Sequence, residues 1–354
     1  MIPHLKEFEK TIIDVFDPRK NEKIGIIYDE PSFDKDDNIL WQDRRKLAME
    51  WVDIFDSMAE DVGFELELYS FNATGAHNAI LSNDVLDNLR RFNVIIALTE
   101  WSITGSLVSL IKQNPNSVRC ASLPGAERRM HESVYLTDYT LIKQYALSLK
   151  QLLDKAISAK VLFSTSDELY IDLRNRTGGA DDGDCRTPGS MINFPSGEGF
   201  IAPYEGVGEE IQSFGKSRTQ GVIPLLFKDE IIFGKVEENK FTKFSGSDTA
   251  VSFINSFFSL ISSRRNIAEL GIGCNPNAQV TGNIFEDEKA GVHVAYGMSN
   301  HLGGKIDSDV HIDMVFAKGC AVEAEQLTLV FSDDTVLDLL EKSRLRYDIL
   351  IDSE

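Results

Sequence analysis

Two stretches, Lys23-Ile-Gly-Ile-Ile-Tyr-Asp29 and Phe92-Asn-Val-Ile-Ile-Ala-Leu-Thr99, decide the fold class. Each is a short apolar run, the pattern of a strand buried on both faces. Between them, Leu40 to Val62 has helical periodicity and Phe64-Glu-Leu-Glu-Leu-Tyr69 alternates as a strand should. A helix from about Ser106 to Gln113 and a strand near Arg119 to Leu123 continue the pattern. Strands alternating with helices predict a mostly parallel sheet covered on both sides. No strand here runs into GxGxxG and there is no GxxxxGK[ST] loop, so this half has no nucleotide-binding motif. It reads as a structural or substrate-covering domain.

Beyond a long helix expected from Asp138 to Ile157, the texture changes. Lys160-Val-Leu-Phe-Ser-Thr165 and Glu168-Leu-Tyr-Ile-Asp-Leu-Arg174 read as a hairpin, and Thr177-Gly-Gly-Ala-Asp-Asp-Gly-Asp184 as a solvated loop. From Phe200 onward short β segments with glycine turns dominate. The expected organisation is therefore an N-terminal, mostly parallel α/β domain (1–158) followed by a β-rich α+β metal-binding domain (159–354).

The 354 residues, 42% hydrophobic and 26% charged, are enough for two cores of roughly 150 residues or more. A formal charge of −20 argues against a nucleic-acid partner, because such a surface repels phosphates. The opening Met1-Ile-Pro-His-Leu-Lys-Glu7 lacks a signal-peptide pattern, and no run approaches the roughly 18 apolar residues of a membrane span. Cys120, Cys185, Cys274 and Cys320 are too scattered for a zinc CxxC pair or a disulfide framework. A cytoplasmic protein without membrane partners is the expectation.

The chemistry gathers late in the chain. Of six histidines, three lie from His293 to His311. In His311-Ile-Asp-Met-Val-Phe316, period two turns His311 and Asp313 to one face, with Ile312 and Met314 expected in the core behind. Imidazole and carboxylate on one strand face make half of a divalent-metal site. The plainer reading is a His–Asp hydrogen bond at a strand end. In Glu286-Asp-Glu-Lys-Ala-Gly-Val-His293, Glu288 and His293 are five apart and meet only if Ala290-Gly291 turns the chain. The plainer reading there is a charged turn. Glu269 in Ala268-Glu-Leu-Gly-Ile-Gly273 and Glu198 in Phe194-Pro-Ser-Gly-Glu-Gly-Phe200 are single charges in apolar, glycine-rich settings. A buried lone carboxylate is costly unless paired or bound to a cation. Glu198, Glu269, Glu288, His293, His311 and Asp313 together form the inventory of a two-metal hydrolytic site.

These blocks, in this order over residues 191–316, resemble the thermophilic aminopeptidases of the aminopeptidase T and S type. The resemblance implies that Glu198, Glu269, Glu288, His293, His311 and Asp313 are metal ligands, with Glu269 also the general base. It implies two divalent ions per chain (zinc, cobalt, manganese or iron), a peptide or small amide substrate and a homodimer. The family places a tyrosine just before Gly303-Gly304. Here that stretch reads Gly297-Met-Ser-Asn-His-Leu-Gly-Gly304, which leaves His301, or Tyr296, to take the catalytic role. A relative of that family, 2,5-dihydroxypyridine dioxygenase, holds one iron with two histidines and an aspartate on a similar scaffold. It has histidine where this chain has Glu269. Retention of Glu269 favours the aminopeptidase-like hydrolase, with the mononuclear iron ring-cleaving oxygenase and an inactive metal-stabilised homologue as alternatives.

Overall fold

The computed structural model describes residues 4–33 and 37–351. The protein is mixed α/β, and its chain packs as two units, 1–143 with 181–196 and 144–180 with 197–354.

The first unit is built on a five-stranded sheet in the order Glu65–Asn72, Lys23–Glu30, Val94–Leu98, Arg119–Ser122, Met191–Asn193, parallel at every pairing. All five residues of Val94–Leu98 are buried, as a central parallel strand requires. The helix Ile39–Val62 begins where Asn38 accepts a hydrogen bond from the Trp41 backbone N–H (3.0 Å), capping a first turn whose N–H groups would otherwise lack partners. It buries the stripe Trp41, Leu47, Ala48, Trp51, Ile54 and Phe55. The strand Met191–Asn193 has no counterpart in the sequence-based expectation, since three residues carry too little periodicity to read.

The second unit contains two largely antiparallel sheets. One has eight strands and includes the expected hairpin, Ala156–Phe163 with Glu168–Asp172. The other has five, in the order His311–Val315, Val292–Gly297, Ile267–Gly273, Glu198–Ile201, Gly179–Asp181. Along the chain the first unit gives way to the second at 143/144 and again at 196/197. The later part of the helix Tyr139–Lys155 packs on the second unit, with Leu149 against Gly199 and Leu153 against Gly178. The stretch read as a solvated loop contributes the edge strand Gly179–Asp181. Ile312 is exposed and Met314 half-buried, not in the core as expected, because their strand lies at the other edge of this sheet. Among the described residues no helix is long and apolar enough to cross a membrane.

Candidate metal centre

Cross-strand register assembles the centre on one face of the five-stranded sheet. Glu269 pairs with Ala295, and Ala295 with Asp313. Gly271 pairs with His293, Gly297 with His311, and Gly273 with Glu198. Residues directly opposite share a face, as do residues two apart on a strand. The centre therefore draws on four neighbouring strands. The glycines of the Glu-Leu-Gly-Ile-Gly run make this possible. A Cβ on Gly271 would collide with the His293 imidazole, and one on Gly273 with the backbone of Glu288 and Lys289. Glu288 arrives from a separate 3-10 turn, Glu288–Ala290, which together with Gly291 makes the turn required between Glu288 and His293.

Within this cluster, Glu269, His311 and Asp313 each present one ligand atom, all within 4.8 Å of one another. His311 Nε2 lies 3.0 Å from Glu269 Oε2 and 3.5 Å from Asp313 Oδ1. The other ring nitrogen, Nδ1, is 2.7 Å from the Met298 carbonyl oxygen. Donation from Nδ1 to that carbonyl fixes the ring and leaves Nε2 for a ligand role, the usual support of a metal-binding histidine. His293 Nε2 lies between Glu198 Oε2 (3.5 Å) and Glu269 Oε1 (3.7 Å). Glu198 and Glu288 are not in the triad. Both accept from Lys289, whose Nζ is 2.6 Å from Glu198 Oε1 and 2.8 Å from Glu288 Oε1. Lys289, fully buried, is the central residue that sequence reasoning passed over. Its signal was present, because a lysine inside a buried acidic block requires carboxylate partners.

The electrostatics show a site short of positive charge. Burial pushes the Glu269 carboxyl up, but the neighbouring His293 and His311 imidazoles more than reverse this and hold it well below the carboxylate range. Burial opposes charge on His293, yet the Glu269 and Glu198 carboxylates lift its pKa to about 10. For His311, burial is likewise overcome by Asp313 and Glu269, giving about 11. Burial raises Glu288 to about 8 despite the Lys289 ammonium, with Glu198 and Asp313 adding to the rise. Glu198 Oε2 and His293 Nδ1 are buried and, among the described residues, have no hydrogen-bond partner. Buried oxygens and nitrogens that draw protons onto histidines fit a divalent cation.

Metal ligation needs neutral imidazole, so loading the metal-free protein near neutral pH should release protons from His311, and affinity should rise with pH. Calorimetry in buffers of different ionisation enthalpy reads the released protons, and a count of zero would contradict the assignment. In the metal-free protein the raised histidines contribute stability that is complete below their unfolded value of about 6.5. That contribution is lost as pH climbs through about 10 to 11.

His301 sits at the rim, exposed, with its ring edge-on to His311 (centroids 4.8 Å apart, 82° between planes). Desolvation and the adjacent His311 lower its pKa, favouring the neutral ring. The loop that carries it is braced by buried Glu205, which accepts from Ser299 Oγ, from Asn266 Nδ2 (3.1 Å), from Lys305 N (2.6 Å) and from Arg176 Nη2 (3.3 Å). Tyr296 is half-buried, on the strand residue paired with Ile312 rather than His311, and so does not share the metal-facing side.

Fold and site thus define a chain with a parallel α/β unit and a β-rich unit that bears a carboxylate–histidine cluster suited to a metal ion. No family model matches the chain, and no curated protein matches it. Among solved structures it is similar to 2,5-dihydroxypyridine dioxygenase from Pseudomonas putida KT2440. The identity is 14% and the TM-score 0.67, over 97% of this chain and 96% of that one. At this identity the likeness is one of fold.

This overturns the aminopeptidase resemblance drawn from the four blocks, and with it the metallo-aminopeptidase, protease and hydrolase assignments. The whole-chain counterpart is an oxygenase, and no aminopeptidase family is matched. The blocks misled for a physical reason. They record a strand register that gathers carboxylates and imidazoles, and one scaffold can offer such a register to more than one chemistry. Glu269 did not discriminate either, since a carboxylate and an imidazole at one strand position can each serve as a metal donor.

Proposed function

We propose that this chain is a metal-dependent dioxygenase that opens a hydroxylated aromatic or N-heteroaromatic ring with dioxygen. The observation that carries the reading is the triad Glu269, His311 and Asp313, with ligand atoms within 4.8 Å, on a fold shared over 97% of the chain with a dioxygenase. These three residues would hold the ion. Nitrogen and oxygen donors without thiolate suit iron(II), which the dioxygenase reading favours over zinc. When bound, a redox-active ion of this kind lets dioxygen react with an electron-rich ring.

The chain's own residues have distinct tasks in this reading. Glu269, held ionised, and Asp313 supply negative charge at the triad. The Met298 carbonyl orients His311 through Nδ1. His301, biased to the neutral form at the exposed rim, takes up the proton of a substrate hydroxyl at a ring nitrogen.

The test loads metal-free protein with iron(II) anaerobically and follows oxygen uptake with a panel of dihydroxylated rings, 2,5-dihydroxypyridine and catechols among them. Oxygen consumption coupled to loss of ring absorbance is expected with iron, and none with zinc. Silence of folded, iron-loaded protein across the panel would reject the reading.

A further inference from the structure

The six residues gathered by the sheet face separate into two groups. Glu269, His311 and Asp313 converge on one point. Glu198 and Glu288 converge on another, and the Lys289 ammonium fills it, 2.6 Å and 2.8 Å from one oxygen of each. His293 stands between them, within 3.7 Å of a carboxylate from either group. The charged end of Lys289 is therefore placed as a bridging cation would be, with one oxygen of each of two buried carboxyl groups at hydrogen-bonding distance.

The ammonium is also fixed there. Lys289 is fully buried, and its carbonyl accepts a hydrogen bond from Asn275 N (3.1 Å). Its backbone lies so close to Gly273 that a methyl group there would strike it. The main chain is thus held on one side while the ammonium is held by the two carboxyl groups on the other. A divalent ion entering between Glu198 and Glu288 would have to displace it or sit against a like charge.

We propose that Lys289 takes the place of a second metal ion, so that this chain binds one divalent ion, on Glu269, His311 and Asp313. A neutral side chain at 289 then opens a second site on Glu198 and Glu288. Removing the ammonium leaves the two buried carboxyl groups facing one another without a cation between them, and a dication can take that place. The inference rests on the triad as a metal site. It replaces the two ions expected from the sequence with one ion and one fixed ammonium.

The experiment titrates Mn2+ into the metal-free full-length chain and counts bound ions by elemental analysis and electron paramagnetic resonance. The expected result is one ion per chain for the wild type and for Lys289→Arg, with isolated-ion spectra. Lys289→Met is expected to bind two, with a spectrum altered by coupling between neighbouring ions. Two ions on the wild type, or one on Lys289→Met, would overturn the inference while leaving the triad intact. No ion on the wild type would overturn the triad reading and this inference with it. If Lys289→Met folds only with metal present, ions per chain are counted after refolding in Mn2+, and two against one decides as before.

Discussion

His311→Ala is expected to lower the affinity for a divalent ion by more than about 100-fold, beyond what loss of a supporting outer partner costs a metal site. Iron-dependent oxygen uptake should disappear with it. His311 supplies the one nitrogen of the triad, and its Nε2 faces both Glu269 and Asp313. Alanine leaves two carboxylates at the triad and removes the contact through which Met298 orients the ring. The fold should survive, because the side chain is only partly buried and lies on an edge strand. Isothermal titration with Mn2+, beside circular dichroism, checks both parts. Unchanged affinity in a folded variant would remove His311 from the ligand set.

The second large effect is structural. Gly273→Ala should destabilise the chain by about 3 kcal/mol or more, at or above the upper end of ordinary overpacking. The added methyl would meet the backbone of Glu288 and Lys289, not the tip of a side chain that could swing aside. That backbone is held in place, since Asn275 N donates to the Lys289 carbonyl. Relief must therefore come from moving the Glu288–Ala290 turn, which should also impair metal binding. Gly105→Ala is the control. This glycine lies in the helix Thr104–Gln113, and its methyl would make only ordinary contacts with Asn78, the nearest at 3.5 Å to Oδ1. There alanine should stabilise by about 0.5–1 kcal/mol. Urea unfolding of the three proteins gives the comparison, and equal stability of the two variants would refute the steric argument.

Much of this molecule was readable before its structure. The helix Ile39–Val62 begins and ends within a residue of its expected span, because capping and periodicity are local. The pair His311 and Asp313 shares a face because side chains alternate along any strand, whatever it packs against. The scarcity and late clustering of histidine pointed to the second unit. Reading stopped where short elements carry too little pattern, as at Met191–Asn193 and Gly179–Asp181, and where edge position exposed Ile312.

What the amino-acid order determined by itself was period, capping and the stock of donor groups in each segment, since these depend on neighbours a few bonds away. Tertiary structure alone decided that Glu269 aligns with Asp313 across Ala295. It alone decided that Gly271 and Gly273 yield their space to His293 and to the Glu288–Lys289 backbone, and that Lys289 joins Glu198 to Glu288. A whole-chain likeness of fold to a dioxygenase also removed the ground for the aminopeptidase reading. The physical reason is range. Strand register and the pairing of buried charges are fixed by segments far apart in the chain, 91 residues for Glu198 and Lys289, and no local pattern encodes which carboxylate meets which cation.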